Sequence, residues 1–175
     1  VDTYLGPEMK STGEVMGIDL DFQSAVSKAL LASGMALPEK GNILMSIADN
    51  DKAEAPPLIR ALAEAGYGFY ATEGTAAMIR ALGINVELIA KRIGEGHPNV
   101  VDVITNGTVD AVVNTITGSA SILRDGFEIR RSSVERRIPS FTSLDTARAA
   151  VESLLRGASG YNVRPNDDYM NSQDT

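Results

Sequence analysis

Short apolar segments alternate along this chain with longer segments whose apolar residues recur at helical spacing. The short segments are Asn42–Ala48, Tyr67–Ala71, Val86–Ala90, Ala111–Thr115 and Ile138–Phe141. Segments this short and this apolar are typical of strands that are buried on both faces. Where such strands alternate with helices, the connections are βαβ crossovers and the strands run parallel. The pattern therefore predicts an α/β fold, a three-layer sandwich in which helices cover a mostly parallel five-stranded sheet.

The helical segments are bounded by residues that start or stop helices. Predicted helices occupy Asp19–Ser33, Asp51–Ala65, Thr75–Leu82, Asn99–Asn106, Phe127–Arg137 and Ser143–Leu155. A glycine immediately follows each of the first four, as is common at helix C-termini. Because Pro56 and Pro57 fit only the first turn of a helix, the second helix is expected to begin late. Ser143 or Thr142 is the expected N-cap of the last helix.

Length and composition narrow the class of protein. The 175 residues suffice for one domain with a substantial core. No apolar run reaches the roughly 18 residues of a membrane span, and the first ten residues do not resemble a signal peptide. A net charge of −7 argues against nucleic-acid binding. The absence of cysteine excludes disulfides and thiolate catalysis and, with a single histidine, argues against a metal site, which fits a cytoplasmic location.

The two ends of the chain differ from its middle. Residues 157–175 are polar and rich in Asn, Asp, Ser and Gly, and this composition predicts a disordered tail. The chain opens on Val1 in a loop-like stretch, as a piece of a longer protein would. The predicted α/β domain accordingly occupies residues 41–156.

Candidate binding residues follow the predicted strands. Parallel sheets bind ligands at the carboxyl ends of their strands. Glycine, hydroxyls and a helix start in the segment Thr72-Glu-Gly-Thr75 are suited to an anion. Two lysines supply positive charge, and polar residues after Ala111–Val113 supply donors and acceptors. The predicted site, which would hold a phosphate monoester, comprises Lys52, Thr72–Thr75, Lys91, Asn114, Thr115 and Thr117.

Other polar residues leave alternative functions open. A carboxylate at Asp49, Asp51 or Glu73 could serve as a general base on a bound phosphosugar, although Asp51 as a helix cap and Asp49 as a solvated residue are the simpler interpretations. His97, the single histidine, is expected to be an exposed loop residue. A basic cluster of Arg130, Arg131, Arg136 and Arg137 could contact an anion, but Glu128 and Glu135 would pair with it along a helix.

Longer motifs resemble a known family. Leu5-Gly-Pro-Glu-Met-Lys-Ser-Thr-Gly-Glu-Val-Met-Gly17 is similar to the end of the second ATP-grasp half of carbamoyl-phosphate synthetase large chains. The chain then resembles the methylglyoxal-synthase-like domain that ends those proteins. The matching motifs are Asp51-Lys52, Ala71-Thr-Glu-Gly-Thr75, Glu95-Gly-x-Pro98, Val113-Asn-Thr115 and Asp125-Gly-x-x-Ile-Arg-Arg131. The resemblance implies that residues 1–40 are the end of the preceding half with a linker.

The resemblance also implies a regulatory function. In such synthetases the preceding ATP-grasp domains make carbamoyl phosphate with ATP and Mg or Mn, using ammonia from a glutaminase small subunit. The final domain needs no cofactor and binds UMP or IMP. Carried over to this chain, its nucleotide contacts would be Lys52, Thr72, Gly74, Thr75, Lys91, Asn114 and Thr115, which nearly coincide with the site predicted from the strand ends. Ornithine regulation at the domain junction would use Thr142. A homo-oligomer is consistent with the family.

Several residues depart from the family pattern. Ile116 stands where a hydroxyl residue is common, which would remove one ligand hydrogen bond, and Ser140 stands where a Tyr is frequent near the ornithine junction. The chain has no Trp, whereas urea-cycle relatives that respond to N-acetylglutamate use one near the position of Lys91. Methylglyoxal synthase itself, a lyase acting on dihydroxyacetone phosphate, is the alternative enzyme, but His97 occupies the position of its catalytic Asp. A ligand-free oligomerisation domain is the third alternative.

Overall fold

The computed structural model describes residues 15–90, 96–115, 120–157 and 162–171. Its strands are β1 (Asn42–Ser46), β2 (Gly68–Thr72), β3 (Glu87–Ile89), β4 (Ala111–Asn114) and β5 (Ser140–Phe141). Its helices are α1 (Phe22–Ala32), α2 (Ala55–Glu64), α3 (Glu73–Ala81), α4 (Val100–Thr105), α5 (Ala120–Arg136), α6 (Leu144–Arg156) and α7 (Asn166–Asn171). A 3-10 turn covers Asp49–Asp51.

The five strands form one sheet in the order β3-β2-β1-β4-β5. Every neighbouring pair is parallel, so the predicted α/β fold with a five-stranded parallel sheet is confirmed. From β1 the chain first adds β2 and β3 on one side of the sheet, and it then returns to add β4 and β5 on the other side. The strand order therefore reverses at β1. Ligands of such sheets bind at this point, beyond the carboxyl ends of the strands.

Helices cover both faces of the sheet. Ile43, Met45 and Phe141 face a core that α1, α2, α3 and α6 complete. Leu44 and Val112 face the opposite way and pack against α4 and α5. Alternate residues of one strand therefore enter different cores, as the pleat requires. Both faces of β1 are buried, which explains why its sequence is a continuous apolar run.

Several helices have different limits from those predicted, and α1 begins at Phe22, three residues after its predicted start. α3 begins at Glu73, so Glu73-Gly-Thr75 is its first turn and not a loop in front of it. α5 extends from Ala120, seven residues before the predicted start, because Gly126 lies buried inside the helix and does not stop it. α2 begins at Ala55 with its prolines in the first turn, so Asp51 does not cap it.

The polar C-terminal tail, which was expected to be disordered, contains α7 in its described part. The peptide N–H of Asn162 donates to Asp19 at 2.8 Å, and Lys28 Nζ lies 3.0 Å from the hydroxyl oxygen of Tyr169. Partial burial raises the pKa of Asp19, but hydrogen bonds from Asn162, Leu20 and Lys28 outweigh it and hold the pKa far below its usual range. The tail thus packs on the segment that leads into α1.

α1 itself belongs to the same core as the sheet. Leu30 is buried there, and Leu37 joins it from the segment that links α1 to β1. The described part of residues 1–40 is therefore packed on the α/β domain. None of the helices in the described ranges is long and apolar enough to cross a membrane.

Candidate functional site

Three polar side chains end the three central strands at the same level. Ser46 of β1 is paired in register with Asn114 of β4, and Met45 is paired with Ala71, which places Thr72 of β2 beside Ser46 on the other side. Each of the three is no more than 7% exposed. The hydroxyl of Thr72 lies 3.4 Å from that of Ser46. The carboxyl edge of the sheet is therefore polar across its centre.

Two threonine hydroxyls brace the turn that follows β1. The Oγ1 atom of Thr75, in the first turn of α3, accepts a hydrogen bond from the N–H of Ile47 at 2.9 Å. The Oγ1 atom of Thr115, directly after β4, accepts one from the N–H of Ala48, also at 2.9 Å. Thr75 is 1% exposed and Thr115 is 7% exposed. Both hydroxyls thus fix the backbone that leads to Lys52, and their direct role is to position that backbone.

Lys52 reaches from this turn to the start of α3. A Cβ atom built on Gly74 would lie only 2.7 Å from Lys52 Nζ, so the ammonium group rests against the bare backbone of Gly74. Gly74 is suited to this place because any larger residue would displace the lysine. Lys52 also pairs with Asp49 at 2.6 Å, and the Asp49 side chain is 90% exposed. This confirms the prediction that Asp49 is solvated.

The N-terminus of α3 lacks a side-chain cap. Thr72 is the N-cap residue by its backbone angles but makes no capping hydrogen bond. Helix N-termini carry unpaired N–H groups and a partial positive charge. The cation of Lys52 lies beside this end, so two sources of positive potential converge at Gly74. Such a place favours an anion.

The remaining predicted residues are Lys91, Asn114, Thr117 and Thr142. Lys91 and Thr117, like Ile116, lie outside the described residues. Asn114 is 5% exposed at the end of β4 and forms no side-chain hydrogen bond in the part of the chain that the structure describes. Thr142 is exposed after β5, the strand beyond β4, so it is two strands away from Ser46. The structure therefore brings together Lys52, Thr72, Gly74, Thr75, Asn114 and Thr115, with Thr142 apart.

His97 lies in the loop before α4 and makes a carboxylate contact there. Its Nδ1 atom is 2.5 Å from Oδ2 of Asp102, and the His97 side chain is 78% exposed, as expected for a loop residue. The same carboxylate accepts the N–H of Asn99, while Asn99 Oδ1 accepts the N–H groups of Val101 and Asp102, which completes a capping box. The Asn99 N–H and then His97 hold the pKa of Asp102 below its usual range.

Salt bridges account for part of the basic cluster on α5. Arg131 Nε lies 3.0 Å from Oε1 of Glu135, one helical turn away, as the sequence predicted. Among the described residues no group of three acidic or histidine side chains could hold a metal ion. The site at the carboxyl edge is accordingly built from a lysine, hydroxyls, an amide and a helix terminus.

Two functional contributors escaped the sequence analysis. Ser46 lies within a predicted apolar strand, and only its register with Asn114 shows that it is the centre of the polar edge. The capping box at Asn99 was missed, yet its signal is local, because Asn99 and Asp102 have the three-residue spacing of this motif.

These features define an α/β domain with a lysine, hydroxyls, an amide and a helix N-terminus at the carboxyl edge of a parallel sheet. A sequence model of the MGS-like domain family matches residues 54–142. The carbamoyl phosphate synthase large chain of Thermomicrobium roseum is 51% identical over 165 residues, which is 94% of this chain and 15% of that protein. The C-terminal section of the large chain from Methanopyrus kandleri is 46% identical over 154 residues, 88% of this chain and 28% of that protein. The chain belongs to the MGS-like domain family, in the form that ends carbamoyl phosphate synthase large chains.

The chain spans less than a third of either relative. A solved structure confirms the fold: methylglyoxal synthase from Elizabethkingia anophelis NUHP1 superimposes with a TM-score of 0.52, covering 77% of this chain and 93% of that one. The sequence identity of that pair is 16%. This likeness concerns the architecture alone.

Proposed function

We propose that this chain is the allosteric regulatory domain of a glutamine-dependent carbamoyl-phosphate synthetase and binds a nucleoside monophosphate such as UMP or IMP. The observation that carries the proposal is the ammonium group of Lys52 lying against Gly74 in the first turn of α3. A phosphate at this point would meet a full positive charge and uncapped backbone N–H groups together. Charge-assisted hydrogen bonds of this kind are among the strongest that proteins form.

The neighbouring strand ends suit the remainder of a nucleotide. Thr72 and Asn114 offer a hydroxyl and an amide on either side of Ser46, within the same polar edge. Such groups donate to and accept from ribose hydroxyls and base edges. Thr75 and Thr115 support this arrangement by fixing the turn between β1 and Lys52. Lys91 completes the proposed set as a second cation.

In the proposed assembly, this domain follows the ATP-grasp domains and acts beside the glutaminase small subunit. Those partners would carry out the reaction with ATP and Mg or Mn, for pyrimidine and arginine biosynthesis in the cytoplasm. Binding of the nucleotide would stabilise one arrangement of the domain against its neighbour, and differential affinity for two arrangements changes activity at a distance. Thr142, exposed beyond β5, is the proposed ornithine contact at the domain junction.

Calorimetry on the purified chain tests the ligand. We expect UMP or IMP to bind with a Kd below about 1 mM, and N-acetylglutamate to bind more weakly. Lys52→Ala should weaken binding at least about tenfold, because it removes a charge-assisted contact. Lys40→Ala is the matched control, since Lys40 is exposed in the linker before β1. If neither nucleotide binds, the nucleotide proposal fails and a ligand-free oligomerisation domain becomes the better account. If Lys52→Ala binds UMP as tightly as wild type does, Lys52 is not the phosphate contact and the proposed site is wrong.

The alternative function is that of a methylglyoxal-synthase-like lyase, because methylglyoxal synthase has the same fold. That reaction needs a base to remove a proton from dihydroxyacetone phosphate. By the family resemblance, His97 stands in place of the catalytic Asp, so the carboxylate that would remove this proton is missing. We therefore expect the purified chain to produce no methylglyoxal from dihydroxyacetone phosphate. Measurable turnover would establish the lyase instead.

A further inference from the structure

Four helices of this chain end with the same C-terminal motif, and α5 ends with that motif except for one residue. α1, α2, α3 and α4 each close with a glycine at positive φ: Gly34, Gly66, Gly83 and Gly107. In each, that glycine donates to the carbonyl three residues back and the next residue donates to the carbonyl five residues back. α5 closes with the same pair of hydrogen bonds, but the residue at positive φ is Arg137, with φ 56°.

Arg137 therefore occupies a position that α1, α2, α3 and α4 give to glycine. The left-handed conformation brings Cβ close to the following carbonyl oxygen, so residues other than Gly, Asn and Asp adopt it rarely. Residues held in such conformations concentrate at functional sites, where the side chain is needed. The side chain of Arg137 is exposed and makes no hydrogen bond or ion pair within the ranges that the structure describes. No helix-capping contact of this side chain explains its presence.

A cavity lies beside Arg137. It has a volume of about 330 Å³, is open to solvent, and is lined by Leu37, Pro38, Asp110, Ile138 and Pro139 among others. Asp110 directly precedes β4 and Pro139 directly precedes β5, so the cavity lies at the amino ends of the strands. It is thus at the opposite edge of the sheet from Lys52 and Gly74.

The cavity carries one charge of each sign on apolar walls. Asp110 is held in place because its Oδ2 atom accepts the N–H of Asn42 at 2.8 Å. Arg137 and Asp110 do not form a salt bridge with each other among the described contacts, although both line the cavity. A polyanion such as a nucleotide would be repelled by Asp110. A small molecule with both a carboxylate and an ammonium group would match the two charges.

We infer that this cavity is a second binding site, for a small zwitterion with an apolar body, the chemistry of an aliphatic amino acid. The carboxylate would pair with the guanidinium of Arg137, which binds carboxylates in two parallel hydrogen bonds. The ammonium group would face Asp110, and the apolar part would lie against Leu37 and Ile138. This site does not depend on the nucleotide proposal, because none of its residues belongs to the carboxyl edge.

Three probes of one shape test the site by ¹H–¹⁵N NMR titration of the chain. Leucine carries both charges, 4-methylpentanoate lacks the ammonium group, and 3-methylbutylamine lacks the carboxylate. We expect leucine to shift the amides around Leu37 and Ile138 with a Kd below about 1 mM. The carboxylate should bind several times more weakly and the amine not at all. If leucine shifts none of these amides up to about 10 mM, or if 4-methylpentanoate binds equally well, the inference is wrong.

Arg137→Gly is a variant that should fold at least as well as wild type. Because glycine adopts the left-handed conformation without strain, the unfolding equilibrium constant should fall roughly fivefold. The Kd for leucine should rise at least about tenfold, because the guanidinium group is removed. Asp110→Asn keeps an oxygen for the Asn42 N–H and should abolish the preference for leucine over 4-methylpentanoate. Arg60→Ala, on the exposed face of α2, is the charge control. Undiminished leucine binding by Arg137→Gly would overturn the inference.

Discussion

Replacing Thr75 with valine removes one hydroxyl from the turn that carries Lys52. Valine keeps the size and the β-branch, so the change is chiefly the loss of the acceptor at 2.9 Å from the Ile47 N–H. This hydrogen bond is buried, and Thr75 itself is 1% exposed. The N–H of Ile47 would therefore be left without a partner and away from water.

An unpaired buried donor costs about 1–3 kcal/mol of unfolding free energy. For a chain of this size each kcal/mol lowers Tm by about 2–4 °C, so Thr75→Val should lower Tm by about 2–12 °C. Thr75→Ser is the matched control, because it retains the hydroxyl and loses only a methyl group, worth about 1 kcal/mol. Thr115→Val should cost less, because the Ala48 N–H that it releases is only partly buried.

Hydrogen exchange distinguishes the loss of the Thr75 hydroxyl from the loss of its methyl group. In Thr75→Val the amide of Ile47 should exchange faster than the amides of β1, whereas in Thr75→Ser its protection should persist relative to them. Urea unfolding followed by circular dichroism gives the free energies of the three variants. The reasoning would be refuted if Thr75→Val were as stable as wild type with Ile47 still protected, or if Thr75→Ser lost that protection too.

The remaining predictions concern charge and capping. Asp49→Asn should tighten UMP binding by up to about fivefold in calorimetry, because the exposed carboxylate no longer competes for Lys52; weaker binding would contradict this. Asn99→Ala should lower the unfolding free energy by about 1–2 kcal/mol in urea, with Asn99→Ser close to wild type, because serine also caps helices. The pKa of Asp102 is lower in the folded chain than its ordinary value, so its contribution is complete above about pH 4 and is lost as the pH falls further. Urea midpoints measured between pH 6 and pH 3 should therefore fall less steeply in Asp102→Asn than in wild type.

The sequence predicted the order of elements because the central strands β1 and β4 are buried on both faces. Leu44 and Met45 enter opposite cores, so β1 appears as an unbroken apolar run that needs no tertiary information to find. The limits of α5 were different, because a glycine inside a helix cannot be told from a glycine that stops one. Only the packing of Gly126 against the rest of the fold decides between them.

The sequence predicted which residues lie at the site, but it did not predict which of them are free to contact a ligand and which support the backbone. Residues that follow parallel strands lie at one edge of the sheet, so the sequence predicts that Lys52, Thr72 and Asn114 are close together. The sequence could not show that the hydroxyls of Thr75 and Thr115 are already bonded to backbone N–H groups of the preceding turn. It also gave no sign of the short helix near Tyr169, whose order depends on contacts with Lys28, 141 residues away in sequence.

The central claim is that the carboxyl edge of the sheet holds a phosphate at the start of α3. The most direct test is a ¹H–¹⁵N NMR titration of the chain with UMP, IMP and uridine. The claim predicts that a nucleotide shifts the amides of Gly74 and Thr75 strongly, that uridine does not, and that Lys52→Ala abolishes the difference. It would be contradicted if UMP and IMP left these amides unmoved, or if uridine moved them as far as UMP does.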